Sequence, residues 1–156
     1  MKYIEGDLIK LAKEGKFDLV AHGANCFCVM GGGIARQIRE EISEAYEADC
    51  KTVKGDITKL GNYTHVFIKG TYTLILNCYT QYGMGGDKIN IDYEAVTLCM
   101  RKINHNYKGL SIGLPQIGAG LAGGNWARIE KIINEELIDL DVTIVIFNPP
   151  TPPTLT

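Results

Sequence analysis

Two glycine-rich segments hold the residues of this chain that could do chemistry. One runs Ala21-His22-Gly23-Ala24-Asn25-Cys26-Phe27-Cys28-Val29-Met30-Gly31-Gly32-Gly33-Ile34-Ala35, the other Pro115-Gln116-Ile117-Gly118-Ala119-Gly120-Leu121-Ala122-Gly123-Gly124-Asn125-Trp126. Glycine has no Cβ, so a ligand can come close to the backbone N–H groups, and a helix that starts at such a loop adds positive potential. Two loops of this kind facing each other make a cradle for a diphosphate, which points to a nucleoside-diphosphate ligand. Within the first segment, the Asn25 amide could orient a hydroxyl, a phosphate or a water, or simply hold a loop turn. His22 could act as a general acid or phosphate donor, because imidazole titrates near neutral pH, or it could be a hydrogen-bonded structural histidine at the end of a buried strand.

The elements around the loops must bring them together. Asp18 to His22 is a short apolar strand that enters the first loop, and Leu110 to Leu114 is a strand that enters the second. Ile34, Ile38, Ile42 and Tyr46 fall at helical spacing, so a helix begins at Gly33 or Ile34. Tyr3-Ile4 reads as a strand ending at Gly6-Asp7, with a short helix over Leu8 to Lys13. Thr64–Ile68 and Tyr72–Tyr79 read as an antiparallel hairpin around Lys69-Gly70-Thr71. A glycine-rich loop from Gln81 to Lys88 follows, then an amphipathic helix with Asp92 near its start. A helix over Trp126 to Leu137 and an apolar strand over Val142 to Phe147 close the pattern. Strands alternating with helices, interrupted by one hairpin, give an α/β domain with a mixed sheet between helical layers. In such sheets ligands bind beyond the carboxyl ends of the strands, where both glycine loops lie.

At 156 residues and a formal charge of −2, the chain suits one soluble domain and offers no broad basic footprint for nucleic acid. No apolar run reaches membrane-spanning length and the N-terminus is not a signal peptide, so a cytoplasmic, monomeric protein with no membrane partner is expected. The five cysteines (Cys26, Cys28, Cys50, Cys78 and Cys99) are an odd number without zinc-like spacing, so neither a disulfide framework nor a metal site is expected. The string G-x-x-x-x-G-K-[ST] of nucleotide-hydrolysing loops is absent.

Gly6-Asp7-Leu8, Ala24-Asn25 ahead of Gly31-Gly32-Gly33-Ile34-Ala35, and Pro115-Gln116-Ile117-Gly118-Ala119-Gly120-Leu121 together resemble a macrodomain, and the resemblance spans Lys2 to Asn148. It is similar above all to the compact branch that removes the phosphate of ADP-ribose 1″-phosphate. The resemblance implies a three-layer α/β/α macrodomain with a central mixed sheet over residues 1–148, and the Pro-rich residues 149–156 are expected to be a disordered tail. It implies ADP-ribose or ADP-ribose 1″-phosphate as ligand, with no cofactor and no metal. Asp7, assisted by the backbone of Leu8, would meet the adenine amine, and Asp7 could also cap the following helix with its other oxygen. Gly31, Gly32, Gly33 and Ile34 would face Gly118, Ala119, Gly120 and Leu121 around the diphosphate and distal ribose. Phe147, with Asn148 after it, would lie near adenine or in the core. Asn25, with His22, would position the water that attacks phosphorus in a slow, metal-independent reaction.

Gly55-Asp56-Ile57-Thr58 repeats the local pattern of Gly6-Asp7-Leu8-Ile9 without a loop partner, so Asp56 reads as a turn or capping residue. Deacylating relatives place an acid in the second glycine loop, where this chain has Gly120-Leu121-Ala122. That departure leaves Asp87, Lys88 and Asp92 as the acid or lysine candidates for an enzyme that releases ADP-ribose from protein or nucleic acid. Gln81 and Tyr82 could contact the substrate. A non-catalytic ADP-ribose-binding module is the third reading.

Overall fold

The computed structural model describes residues 1–86 and 88–147. The elements follow the order β1 (Lys2–Gly6), α1 (Leu8–Lys13), β2 (Leu19–Ala24), α2 (Gly33–Glu41), α3 (Ser43–Cys50), β3 (Tyr63–Phe67), β4 (Leu74–Tyr79), α4 (Tyr93–Asn106), β5 (Ser111–Leu114), α5 (Trp126–Glu136) and β6 (Asp141–Phe147). They form one six-stranded sheet in the order β1-β6-β5-β2-β4-β3. Every neighbouring pair is parallel except the β3–β4 hairpin, so the sheet is mixed, as its sequence pattern predicts.

The central strands read as apolar runs because both of their faces are covered. Successive side chains of β2 alternate: Leu19 and Ala21 join the core beneath α4 and α5, whereas Val20 joins the core beneath α1, α2 and α3. The first core takes Val96, Cys99, Met100 and Ile103 from α4 and Ile129 and Ile133 from α5. The second takes Leu8, Ile9 and Ala12 from α1, Ile38 from α2 and Ala45 from α3. The result is three layers, helices on each side of the sheet. The helical spacing from Ile34 to Tyr46 continues through a break: Ile42 leaves helical geometry at φ −131° and ψ 69°, is buried, and divides the segment into α2 and α3.

The strand order decides where the chemistry sits. β2 and β5 are adjacent and parallel, with Leu19 opposite Ile112 and Val20 opposite Gly113. Their starts are clamped: the Ser111 N–H donates to Asp18 Oδ2 at 2.9 Å, and the Asp18 N–H donates to Ser111 Oγ at 3.0 Å. Two parallel neighbours end at the same edge of the sheet, so the glycine loops that follow them stand side by side. Asn148 and the tail 149–156 lie outside the described residues.

Candidate functional site

The first loop is shaped by Asn25. Its Oδ1 accepts from the Phe27 N–H at 2.9 Å and its Nδ2 donates to the Val29 carbonyl at 2.7 Å, closing a turn directly after β2. Below the turn, a buried polar group supports Cys28, which adopts a left-handed φ of 57°. The Cys28 thiol donates to the Asp49 carbonyl at 3.3 Å, the Tyr79 hydroxyl donates to Asp49 Oδ1 at 2.7 Å, and Lys59 Nζ donates to Thr52 Oγ1 at 2.8 Å. Burial and the Asp49 carboxylate push the Tyr79 hydroxyl well above its ordinary pKa. The loop ends at Gly32, which caps α2 with an extended backbone and no side-chain hydrogen bond. The first-turn N–H groups of α2 therefore have no intrahelical acceptor.

The second loop folds back on itself. The Gly124 N–H donates to the Gly118 carbonyl at 2.7 Å, and the Ala119 N–H to the Gln116 carbonyl at 3.3 Å. Gly118 sits at φ 73°, and a Cβ there would lie 2.5 Å from Ile91 Cδ1, so both conformation and packing require glycine. Leu121 leans across to the first loop, and a Cβ on Gly32 would come within 2.8 Å of its Cδ1. Among the described residues, the N–H groups of Gly31 and Gly32 on one side, and of Gly118, Gly120 and Leu121 on the other, find no acceptor. Unpaired N–H groups gathered beside a helix N-terminus suit an anion.

The cleft between the loops has two compartments that share Gly33, Ile34, Pro115, Gln116 and Gly120. The first, of about 480 Å3, is bounded by Asp7, Leu8, Gln37, Ala119, Val145 and Phe147. Asp7 Oδ1 accepts from the N–H groups of Ile9 at 3.0 Å and Lys10 at 3.3 Å, so it does cap α1. Its Oδ2 has no partner among the described residues and is left for a donor in the compartment. Phe147 is 55 % exposed and lines this compartment, which places it at the cleft and not in the core. The second compartment, of about 420 Å3, is bounded by Asn25, Gly31, Gly32, Gly118, Leu121, Gln81 and Met84. No titratable side chain among the described residues lines it.

A third loop forms the end wall of the second compartment. It is tied to both glycine loops: the Cys26 N–H donates to the Tyr82 carbonyl at 3.0 Å, and the Asn90 N–H to the Ala122 carbonyl at 2.9 Å. Past Met84 an annex of about 550 Å3 opens, lined by Phe27, Tyr82, Gly83, Lys88, Ile89 and Asn90.

The structure thus brings Asp7, Leu8, Asn25, both glycine runs and Phe147 to one cleft, and leaves His22 out of it. Strand alternation turns His22 toward α3, where it is fully buried and its Nε2 lies 2.6 Å from Oδ1 of its cross-strand partner Asn77. Asn77 Nδ2 in turn donates to the Ala45 carbonyl and to Thr64 Oγ1. Burial lowers the His22 pKa, against the hydrogen bond to Asn77, so the ring is a neutral part of the packing and not a proton donor to the cleft. Asp92 caps α4 by accepting from the Ala95 N–H at 3.0 Å, and Asp56 caps a short 3₁₀ turn at Ile57–Lys59. His65 and His105 are exposed, all five cysteines are free thiols, and Asp87 lies outside the described residues. Gln37, and Met84 from the Gln81–Lys88 loop, line the cleft without belonging to a motif. Gln37 stands one helical turn after Gly33, a spacing that could have shown it.

Among the described residues no helix is long and apolar enough to cross a membrane. Residues 21–133 match the model of the Macro domain family. The chain is 37% identical to an uncharacterized 17.5 kDa protein of the tk–vs intergenic region of Enterobacteria phage T4, over 96% of this chain and 97% of that protein. It is 28% identical to the DNA ADP-ribosyl glycohydrolase of Mycobacterium tuberculosis, over 94% of this chain but only 42% of that longer protein. Its fold matches Thermosipho africanus DarTG in complex with ADP-ribose, with a TM-score of 0.71 and 19% identity, over 94% of this chain and 41% of that one.

Proposed function

This chain belongs to the Macro domain family, and on that premise we propose that it binds ADP-ribose and hydrolyses ADP-ribose 1″-phosphate to ADP-ribose and phosphate. The observation that carries the reading is the two-compartment cleft with unpaired N–H groups of both glycine loops at its waist. Adenine occupies the compartment of Asp7 and Phe147, its amine donating to Asp7 Oδ2. The diphosphate lies at the waist, on backbone N–H groups and the N-terminus of α2. The distal ribose then enters the compartment of Asn25.

There the Asn25 amide keeps one N–H and one lone pair beyond those that hold its loop. These orient a water toward phosphorus. Water oxygen bonds to phosphorus as the bond to the ribose O1″ breaks, and the water's proton passes through the phosphate oxygens to O1″. Preorganised amides and orientation carry the rate in this scheme, which makes the reaction slow. A second reading is the release of ADP-ribose from a protein or nucleic acid. It draws on Lys88, which lines the annex next to the distal compartment, and on the likeness to a DNA ADP-ribosyl glycohydrolase.

Phosphate release from ADP-ribose 1″-phosphate tests the first reading, with Asn25→Ala as control and a chelator in one arm. Chelator-resistant release that collapses in the variant is expected. Tight ADP-ribose binding with no phosphate released would overturn it and leave the second reading, or a binding module.

A further inference from the structure

We propose that Cys28 and Lys59 form a modification site, in which a hydroperoxide oxidises the Cys28 thiol and the Lys59 amine then closes a sulfur–nitrogen bond to it. The pair lies outside both compartments of the cleft, and its chemistry does not depend on what the cleft binds.

Lys59 is only 9 % exposed, and its Nζ lies 3.8 Å from Cys28 Sγ. No carboxylate among the described residues reaches it at ion-pair distance. Its ammonium has Thr52 Oγ1 at 2.8 Å and the Tyr79 ring at 4.9 Å in place of a counter-ion. A buried cation without an anion is costly, so packing alone does not account for a lysine here. Cys28 is half-buried, within reach of a small oxidant, and thiols in partly exposed, electropositive surroundings are the ones that peroxides oxidise. By contrast, Cys26, Cys78 and Cys99 are buried. Burial holds the Cys26 thiol above its ordinary pKa, and the Cys99 contact together with burial does the same for Cys78.

The step balances as follows. The Cys28 sulfur takes one peroxide oxygen, the O–O bond breaks, and the thiol proton leaves with the other oxygen as water or an alcohol. Cys28 is then a sulfenic acid, and the peroxide has been reduced by two electrons. The Lys59 nitrogen attacks that sulfur as the S–O bond breaks. The hydroxyl departs as water with one ammonium proton, a second proton passes to solvent, and the third stays on nitrogen. The product is a sulfenamide, which an external thiol reopens. Cys28 sits between the Asn25 turn and the Gly31–Gly33 run, and the carbonyl of the next residue, Val29, accepts from the Asn25 amide. The new bond therefore ties the first glycine loop to the 3₁₀ turn at Ile57–Lys59.

The test treats the full chain with hydrogen peroxide, removes the excess with catalase, alkylates the remaining thiols and maps the peptides by mass. The expected product is lighter than the untreated chain by a pair of hydrogens. In it Cys28 resists alkylation, trypsin fails to cut after Lys59, and one crosslinked peptide joins the two residues. Dithiothreitol should restore both the thiol and the cleavage. Lys59→Arg should lose the crosslinked peptide and leave a Cys28 sulfenic acid that dimedone captures, and Cys28→Ser should lose both signals. Oxidation confined to the exposed Cys50 overturns the proposal, as does oxidised Cys28 in a wild-type chain still cut after Lys59. Both of these outcomes are read on the wild-type protein, so poor folding of a variant cannot mask them.

Discussion

Asn25 and His22 stand three residues apart at the end of one strand. Both are polar and buried, the Asn25 amide able to orient a group and the His22 imidazole able to orient one or carry a proton. Asn25 follows the last residue of β2, where the chain leaves the sheet, so its amide borders the cleft while holding the turn. His22 is still inside β2, and its place in the pleat sends it to the α3 side, onto Asn77. Both types offered a candidate for the site; what separates them is whether the backbone at that point still obeys the sheet. A functional group at the carboxyl edge is free to meet a ligand. Three residues further back, inside the pleat, a polar group becomes packing.

The largest effect that could break this contrast is on turnover. Asn25→Ala is expected to lower phosphate release about a hundredfold, the scale of losing one preorganised amide, in a protein that still unfolds cooperatively. His22→Gln should leave turnover within about threefold of wild type once corrected for the folded fraction, since a group outside the cleft makes no transition-state contact. Matching losses in the two variants would collapse the distinction.

A second pair sharpens it. Asp7 and Asp56 share a local sequence, and each caps a helical turn. Only Asp7 borders the cleft with a spare oxygen. Asp7→Ala should weaken ADP-ribose binding about tenfold, whereas Asp56→Ala should leave it unchanged, by isothermal titration. The Asp7 change should also cost about 1 kcal/mol of stability in urea unfolding, the ordinary worth of a helix cap.

The smallest effect is the pH dependence of stability. Burial lowers the folded-state pKa of His22 below its ordinary value of 6.5. The unfolded chain therefore takes up a proton first as pH falls. The contribution of His22 to stability is complete above about pH 6.5 and is lost between there and the lowered value, with a slope of at most about 1.4 kcal/mol per pH unit. His22→Gln should remove that slope from urea unfolding measured between pH 7.5 and 5.5. A slope unchanged in the variant would move the titration to another group.

The fold was legible because its signals are local. Glycine runs sit at strand ends, Asp92 stands ahead of an amphipathic stretch, and β-branched residues flank Lys69-Gly70-Thr71. Those same signals place Gly31 to Ile34 and Gly118 to Leu121 at the sheet edge, where the structure has them. What stayed hidden depends on facing and distance. The direction of His22 needs its register against Asn77, 55 residues away. The buried group of Asp49, Lys59 and Tyr79 is assembled from three elements and leaves no local pattern. The ties from Cys26 to Tyr82 and from Asn90 to Ala122 join backbone atoms, which no residue type announces.

Leu121 is 79 % exposed, yet its tip rests over Gly32 and Gly33. That contact bridges the two glycine loops at the waist of the cleft. In the proposed complex a diphosphate at the waist would lie under this side chain. Release of that ligand would then require the Leu121 side chain to swing aside, a step separate from breaking the ligand's own contacts. Trimming that one side chain should shorten residence and speed entry together, so that both rates change while their ratio moves little.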